Sequence, residues 1–306
     1  MMRKILKFST LLLMILILTI SSPINALTRT NTDVQAQDDE VHLVLDALNS
    51  SNLPKHFRKT TDKIDIKDSK ILNLNGLENL NVSGSSQFTE HSLKTIKDAL
   101  DTKKKIIVID LREESHGFID GNAISFKNKY NNANHGLTRR EVIAKEKKDL
   151  KSIPKNEFVT FYNKPQTTLT PNKVYNEEKL VNSLGMKYKR IPVTDGSIPT
   201  NEAVDYFVKE INSLSKDKWI HFHCKEGIGR TTTFMIMFDS MKNYKDVKLE
   251  DIIKRQILLS GISTESIQHF YTERRINFLT TFYEYCTENG DKYKIKFSDW
   301  AKEKGY

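Results

Sequence analysis

The chain has 306 residues, a formal net charge of +9 and two cysteines. That length suits one large domain, or a domain with a small appendage. The positive balance implies polyanionic partners, yet no zinc-finger spacing and no glycine–aromatic RNA-binding pattern occurs, which argues for phosphorylated small molecules over nucleic acid.

Arg3, Lys4 and Lys7 make a basic start, and residues 11–18 are an unbroken apolar run. Ser21, Ser22 and Pro23 break that run shortly before Ala26. An apolar core this short reads as a secretory signal peptide cut after Ala26 rather than a membrane span. An uncleaved N-terminal anchor is the alternative. No cysteine follows the run, so no lipid anchor is expected. The mature chain, its formal charge reduced to +6, is expected to be secreted or at the cell surface, without a stable membrane anchor. Residues 27–40 are polar and read as a flexible lead-in. Residues 41–306 show no repeat, low-complexity block or linker and form the folded domain.

Within it, residues 64–82 carry Asn-Gly and short alternating runs that suggest extra strands. Leu93, Ile96 and Leu100 make a helical stripe, and residues 106–110 a short, branched, buried strand. Residues 158–162 repeat the strand pattern, Val181 and Leu184 mark a short helix, and residues 188–193 form another strand. The clearest stripe is Val204, Phe207, Val208, Ile211 and Leu214, with Pro199-Thr200 as its start. A strand at 219–223 leads to helices over 231–242 and 249–259 and a long one over 266–286. Strands alternating with helices predict an α/β layered sheet.

Cys286 ends the stripe Phe278, Phe282, Tyr285 and reads as a small core or surface residue, with a disulfide to Cys224 as the other possibility. Cys224 itself lies in HFHCKEGIGRTTTF, residues 221–234, just past the end of a strand and before a helix. Ligands of open α/β sheets sit outside the carboxyl ends of strands. A glycine-rich turn before a helix N-terminus aims several backbone N–H groups at one point. Gly227 and Gly229 allow angles that a side chain forbids. The turn from Lys225 through Glu226, Gly227, Ile228 and Gly229 is thus a cradle for a tetrahedral oxyanion. A thiol becomes a nucleophile as thiolate, which helix N-termini and cations favour. Arg230 can bind two phosphate oxygens with its fork, Thr231 can donate to the sulfur, and His223 can order the loop from behind. A Walker-type loop is excluded, because no Gly-Lys-Ser/Thr follows the glycines.

Cys-x5-Arg followed by Thr is similar to the active-site loop of the protein-tyrosine-phosphatase superfamily. The fuller HFHCKEGIGRTTTFM resembles bacterial PTP-like phytases, cysteine-dependent inositol polyphosphate phosphatases. VIDLREESHGFIDGNAISF (residues 108–126) and LPKHFRK (residues 53–59) resemble two further segments of that family. The likeness runs from about Leu53 to Trp300. It implies a PTP-like central sheet flanked by helices, with a small β-barrel appendage. It also implies a phosphatase that needs no metal or other cofactor, since the loop and its arginine do what Mg²⁺ does elsewhere.

Expelling an alkoxide needs a proton donor. Asp195, in RIPVTDGSIPT, follows a strand end on a Gly-Ser-Pro loop, and it maps onto the family's general acid. The resemblance further assigns a phosphate contact to Arg58 and a place lining the pocket to Asp120. Lys164 lies where relatives carry basic ligands. For each basic residue a solvated surface charge is the other reading. Three departures stand out. Gly196 replaces the family's usual histidine and Lys225 its usual glutamate. The stretch 260–275 lacks a lysine-rich insertion, leaving Arg274 and Arg275. For His116 and His135 the sequence supports structural and functional readings alike, and it assigns no role to Glu113 or Glu114. The expected activity is hydrolysis of inositol polyphosphates through a cysteinyl-phosphate. A protein-tyrosine phosphatase and a catalytically idle phosphate-binding module are the alternatives.

Overall fold

The computed structural model describes residues 40–64, 72–215 and 217–306. The expected signal peptide and nearly all of the lead-in lie outside the described residues, as do residues 65–71. From residue 40 on, the described residues form one compact unit.

The chain opens with β1 (His42–Ala47) and the short β2 (Arg58–Lys59), then β3 (Val82–Ser85). Within 64–82 the only described strand residue is Val82, and Glu78–Leu80 is a 3₁₀ turn, so extra strands do not form there among the described residues. Helix α1 (Glu90–Ala99) starts on a reciprocal cap between Thr89 and Ser92. Strands β4 (Lys105–Arg112), β5 (His116–Ile119) and β6 (Asn122–Lys127) precede α2 (Arg139–Lys151). After β7 (Val159–Phe161), β8 (Lys164–Leu169) and β9 (Val174–Tyr175) come α3 (Glu177–Ser183), β10 (Lys187–Val193), α4 (Asn201–Asn212) and β11 (Lys218–His223). The rest is helical: α5 (Gly229–Asn243), α6 (Leu249–Ser260), α7 (Thr264–Phe270), α8 (Glu273–Asn289) and α9 (Phe297–Lys304).

The central sheet has the order β10-β4-β11-β3-β2, parallel except for β2. Its strands are buried on both faces, as parallel strands are. In β4, Ile107 and Ile109 face the core built with Phe222, Phe234 and Phe282. Ile106 and Val108 face the opposite core of Leu93, Ile96, Leu180 and Trp219. The period of two divides one strand between two layers. Helix α5 is buried almost all round, against β3 and β11 on one side and α6 and α8 on the other.

The appendage is not a barrel. Strands β1, β6, β5 and β9 form an antiparallel sheet in that order, and β7 with β8 forms a separate hairpin. Two-residue β9 is too short to carry the sheet round. The third core (Leu45, Ile119, Ile124, Leu150, Phe161) is filled instead from α2 and the hairpin. The helix expected over 266–286 is also interrupted. Thr272 is extended (φ −81°, ψ 143°) and its side chain accepts from Arg275 N, so the chain restarts as α8 and runs on past Cys286 to Asn289. Both cysteines are free.

Candidate active site

Strand β11 delivers Cys224 to the carboxyl edge of the central sheet, and α5 begins at Gly229 without a side-chain cap. Gly227 has φ +76°, and a Cβ there would lie 2.4 Å from Ser86 N and 2.6 Å from Ser85 C. Glycine is required, both by the left-handed angle and by the approach to the end of β3. Gly229 differs from expectation: it is helical with no positive φ, and a Cβ there would meet only Arg275 Nη2 at 3.7 Å.

Cys224 is 3% exposed. Its Sγ accepts from Gly227 N and from Thr231 Oγ1, each at 3.2 Å, an arrangement suited to an anionic sulfur. Arg230 is buried beside it. Nη1 donates to Glu114 Oε2 at 2.8 Å and to Val193 O at 3.0 Å, while Nη2 donates to Glu114 Oε1 at 3.2 Å. Its Nε is buried without a partner, which leaves a donor for an incoming oxyanion. Burial opposes the Arg230 charge, but Glu114 and the Cys224 sulfur outweigh it and hold the guanidinium above its ordinary pKa. Glu114, also buried, is held well below the carboxylate range because Arg230 and Arg112 overcome the cost of its burial. Arg112 donates from Nε to Glu114 Oε1 at 2.7 Å and reaches Asp46 of β1 with Nη2 at 3.0 Å. Arg230 is thus aimed by a carboxylate that is itself aimed by a second arginine.

Asp195 stands past the end of β10, 39% exposed at its side chain. Its Oδ1 is 3.0 Å from Arg230 Nη2, and its Oδ2 accepts from Asn131 Nδ2 at 2.8 Å. Gly196 has φ +73° and open space around it, and Ser197 N donates to Thr194 O, closing a turn that keeps Asp195 over the loop.

One expected substrate contact falls elsewhere. Arg58 lies behind the loop, 1% exposed, because β2 pairs it with Gly84 of β3 beneath the catalytic turn. Its Nη1 donates to Gly227 O at 2.9 Å and its Nη2 to Thr232 Oγ1 at 2.9 Å. Burial draws its pKa down to about 10 against the pull of Cys224, so its charge supports the sulfur from below. Asp120 sits at the tip of the β5–β6 hairpin with φ 48°, its carboxylate accepting from Asn172 N and Lys173 N. It ties the β5–β6 turn to the segment before β9. Lys164 is exposed at the start of β8 in the separate hairpin. Lys225 does stay beside the loop: its Nζ is 3.4 Å from Asp46 Oδ1, and its carbonyl accepts from Gln87 N. With Glu226, Asn52 and Lys55 it lines a cavity of about 280 Å³ next to the catalytic turn. Ile228 is the residue from which α5 departs.

Behind the loop is a buried ionic layer. His223 Nε2 is 2.6 Å from Glu177 Oε1, and His116 Nε2 is 3.2 Å from Asp110 Oδ2. Asp110 also takes Tyr188 OH at 2.6 Å and faces Arg190, which is paired with Glu146. Asp110, Glu177 and His223 bring ligand atoms within 4.8 Å of one another, a spacing that suits a cation. In this fold His116 and Arg190 supply the positive charge. His221, pushed down to about 3 by burial with His223 and Arg58 adding, is a neutral bridge between Ser83 Oγ and Ser85 Oγ.

Arg112 and Glu114, both inside the family-like segment 108–126, and Asn131 make contacts to which the sequence assigned no role. Glu114 was within reach: two residues after the arginine that ends a buried strand, a second charged residue is unusual unless paired. No local pattern marks Asn131.

Comparison with known proteins agrees with this geometry. A family model described as PTP-like phytase, inositol hexakisphosphate, matches residues 109–242. The effector protein hopD2 of Pseudomonas syringae pv. tomato is 29% identical over 287 residues, covering 86% of this chain and 60% of the effector. The structure of the PTP-like myo-inositol phosphatase from Mitsuokella multacida, in complex with myo-inositol-(1,3,4,5)-tetrakisphosphate, superposes with a TM-score of 0.78. It has 33% identity, over 87% of this chain and 48% of that one. A PTP-like phytase from Bdellovibrio bacteriovorus gives a TM-score of 0.70 at 29% identity, over 85% and 94% of the two chains. The chain therefore spans about half the length of the Mitsuokella protein and somewhat more of the effector.

Proposed function

The chain is a phytase-like member of the protein-tyrosine-phosphatase superfamily, and from that premise we propose that it hydrolyses inositol polyphosphates through a cysteinyl-phosphate. The observation that carries the reading is the convergence of Cys224, Arg230 and Asp195 on one point, with Arg230 Nε left as a buried donor. Cys224 Sγ attacks phosphorus. The S–P bond forms as the P–O bond breaks, and Asp195 passes its proton to the leaving oxygen. Water then attacks phosphorus, Asp195 takes its proton, and the S–P bond breaks to release phosphate and the thiolate. Loop amides and Arg230 neutralise the equatorial oxygens in both steps, already oriented before substrate arrives. Lys225 and Lys55, on the cavity beside the loop, are placed for a second phosphate of the ring.

A second reading, a phosphotyrosine-protein phosphatase, is favoured by that same rim. Asp46 and Glu226 share the cavity with the two lysines, and Gly196 leaves the acid loop open. The test is phosphate release in EDTA from phytate and from a phosphotyrosine peptide in parallel, with Cys224→Ser as control. Fast release from phytate, slow release from the peptide and none from the variant are expected. The reverse preference would move the assignment to protein substrates. Turnover surviving Cys224→Ser would end the cysteine mechanism.

A further inference from the structure

A carboxyl group that serves as acid in one step and base in the next must stay over the reacting phosphorus while its surroundings change. Three donors hold Asp195 in the free structure: Arg230 Nη2 at 3.0 Å and Gly196 N at 3.1 Å on Oδ1, and Asn131 Nδ2 at 2.8 Å on Oδ2. The arginine contact cannot persist unchanged. When a phosphate dianion enters the loop it competes for Arg230, and Oδ1 must then carry the proton for the leaving oxygen. Gly196 is Asp195's own chain neighbour and moves with it. Asn131 comes from a different segment, between β6 and α2.

We propose that Asn131 is a positioning residue for the general acid, holding Asp195 Oδ2 through its amide so that Oδ1 presents the transferable proton. The inference rests on the assignment of Asp195 as that acid. The segment carrying Asn131 is built to hold it. Asn131 is 5% exposed and has φ 55°, a left-handed angle that asparagine tolerates better than most residues. Asn128 and Asn132 brace the turn on either side, through Nδ2 to Oδ1 at 2.8 Å and Asn132 N to Asn128 Oδ1 at 2.9 Å. Asn134 Nδ2 fastens the segment to Glu113 O at 2.9 Å and Ser115 Oγ at 3.2 Å, next to the carboxylate that aims Arg230. His135 Nδ1 lies 3.1 Å from Thr194 Oγ1, one residue before the acid. An amide also suits the task chemically. It donates to oxygen whether the carboxyl is ionised or neutral, and it has no proton of its own to exchange at working pH.

The experiment compares Asn131→Gly, which keeps the left-handed backbone, and Asn131→Asp, which keeps shape but removes the donor. Each is measured against wild type on an inositol phosphate, whose alkoxide leaving group needs a proton, and on p-nitrophenyl phosphate, whose leaving group needs little help. The ratio of the two kcat values, alkyl over aryl, is expected to fall by about 10- to 100-fold, short of the full general-acid contribution of 10²–10⁴. In an Asp195→Asn background the same substitutions are expected to add no further change in that ratio. Equal losses on both substrates would assign Asn131 a merely structural role and overturn the inference. So would an unchanged ratio in a variant that folds. Should one variant fail to fold, the other carries the reading. An Asp195→Asn enzyme with an unchanged ratio would overturn the acid assignment itself. A fallen ratio in Asp195→Asn but not in the Asn131 variants would overturn only the present inference.

Discussion

Glu114 shows how far the aim of Arg230 depends on a neighbouring buried carboxylate. Both of its oxygens face Arg230, and Oε1 is shared with Arg112, all three side chains being buried. Glu114→Gln would leave two buried guanidinium groups short of negative charge, and breaking such a pair costs about 3–5 kcal/mol. A fall in urea stability of that size is expected, with kcat on any phosphate monoester down at least ~10-fold because Arg230 loses its aim. A stability loss without loss of turnover would mean that Val193 O and Asp195 suffice to orient the arginine. Of the residues around the catalytic turn, Cys224, Arg230, Thr231 and Asp195 were legible because chemistry confines them to a short string or a strand end. Arg58 was named in sequence for the right neighbourhood but the wrong side. Its placement depends on β2 pairing under the loop with β3, a contact across 25 or so residues that no local spacing encodes.

At the scale of elements, the helices that sequence marks well are those with a continuous apolar stripe, such as α4. Helix α2 has only Val142, Glu146 and Leu150 buried, and the charged residue in the middle of that stripe hides the period. Glu146 is there to receive Arg190 and His116 N, so a demand of the core erased the local signal. The break between α7 and α8 has the opposite origin. The apolar pattern runs on through it, but the Thr272 side chain bonds Arg275 N and starts a new helix. Thr272→Ala is therefore expected to destabilise by about 1 kcal/mol, read as a fall in thermal midpoint of roughly 2–4 °C. Were the helix continuous, the same change would be neutral or stabilising, since alanine is the better helix former. The sign of the shift decides it.

For the whole molecule, the buried ionic layer beneath the catalytic turn sets the pH range of stability. Burial opposes the His116 charge, but Asp110 prevails, with Glu146 adding, and its pKa is pushed up to about 10. A cation raised in the folded state stabilises fully below its unfolded value, near 6.5, and loses that contribution as pH rises through about 10. Glu177, against the cost of burial, is drawn down to about 2 mainly by His223, and Asp110 is held well below its usual range by His116 and Arg190. Those carboxylates stabilise above their unfolded values, near 4, and the contribution is lost as pH falls toward 2. Urea midpoints should therefore be highest at about pH 5–6 and decline on both sides. In His116→Gln the decline between about pH 6.5 and 10 should flatten, alongside a lower midpoint overall. An unchanged alkaline slope would show that His116 is not the group responsible.

By itself the sequence determined the layered α/β class and the strand–loop–helix unit around Cys224. Each of these follows from residues within a few positions of one another, where alternation, glycine placement and helix starts act directly on the backbone. Only the tertiary structure decided that the appendage is an open sheet and that Arg58 works from behind. It also decided that Glu114 bonds Arg230 and that Asn131 bonds Asp195. Those outcomes depend on which strands pair and which buried charges meet, and the energy of a buried charge comes from partners far along the chain.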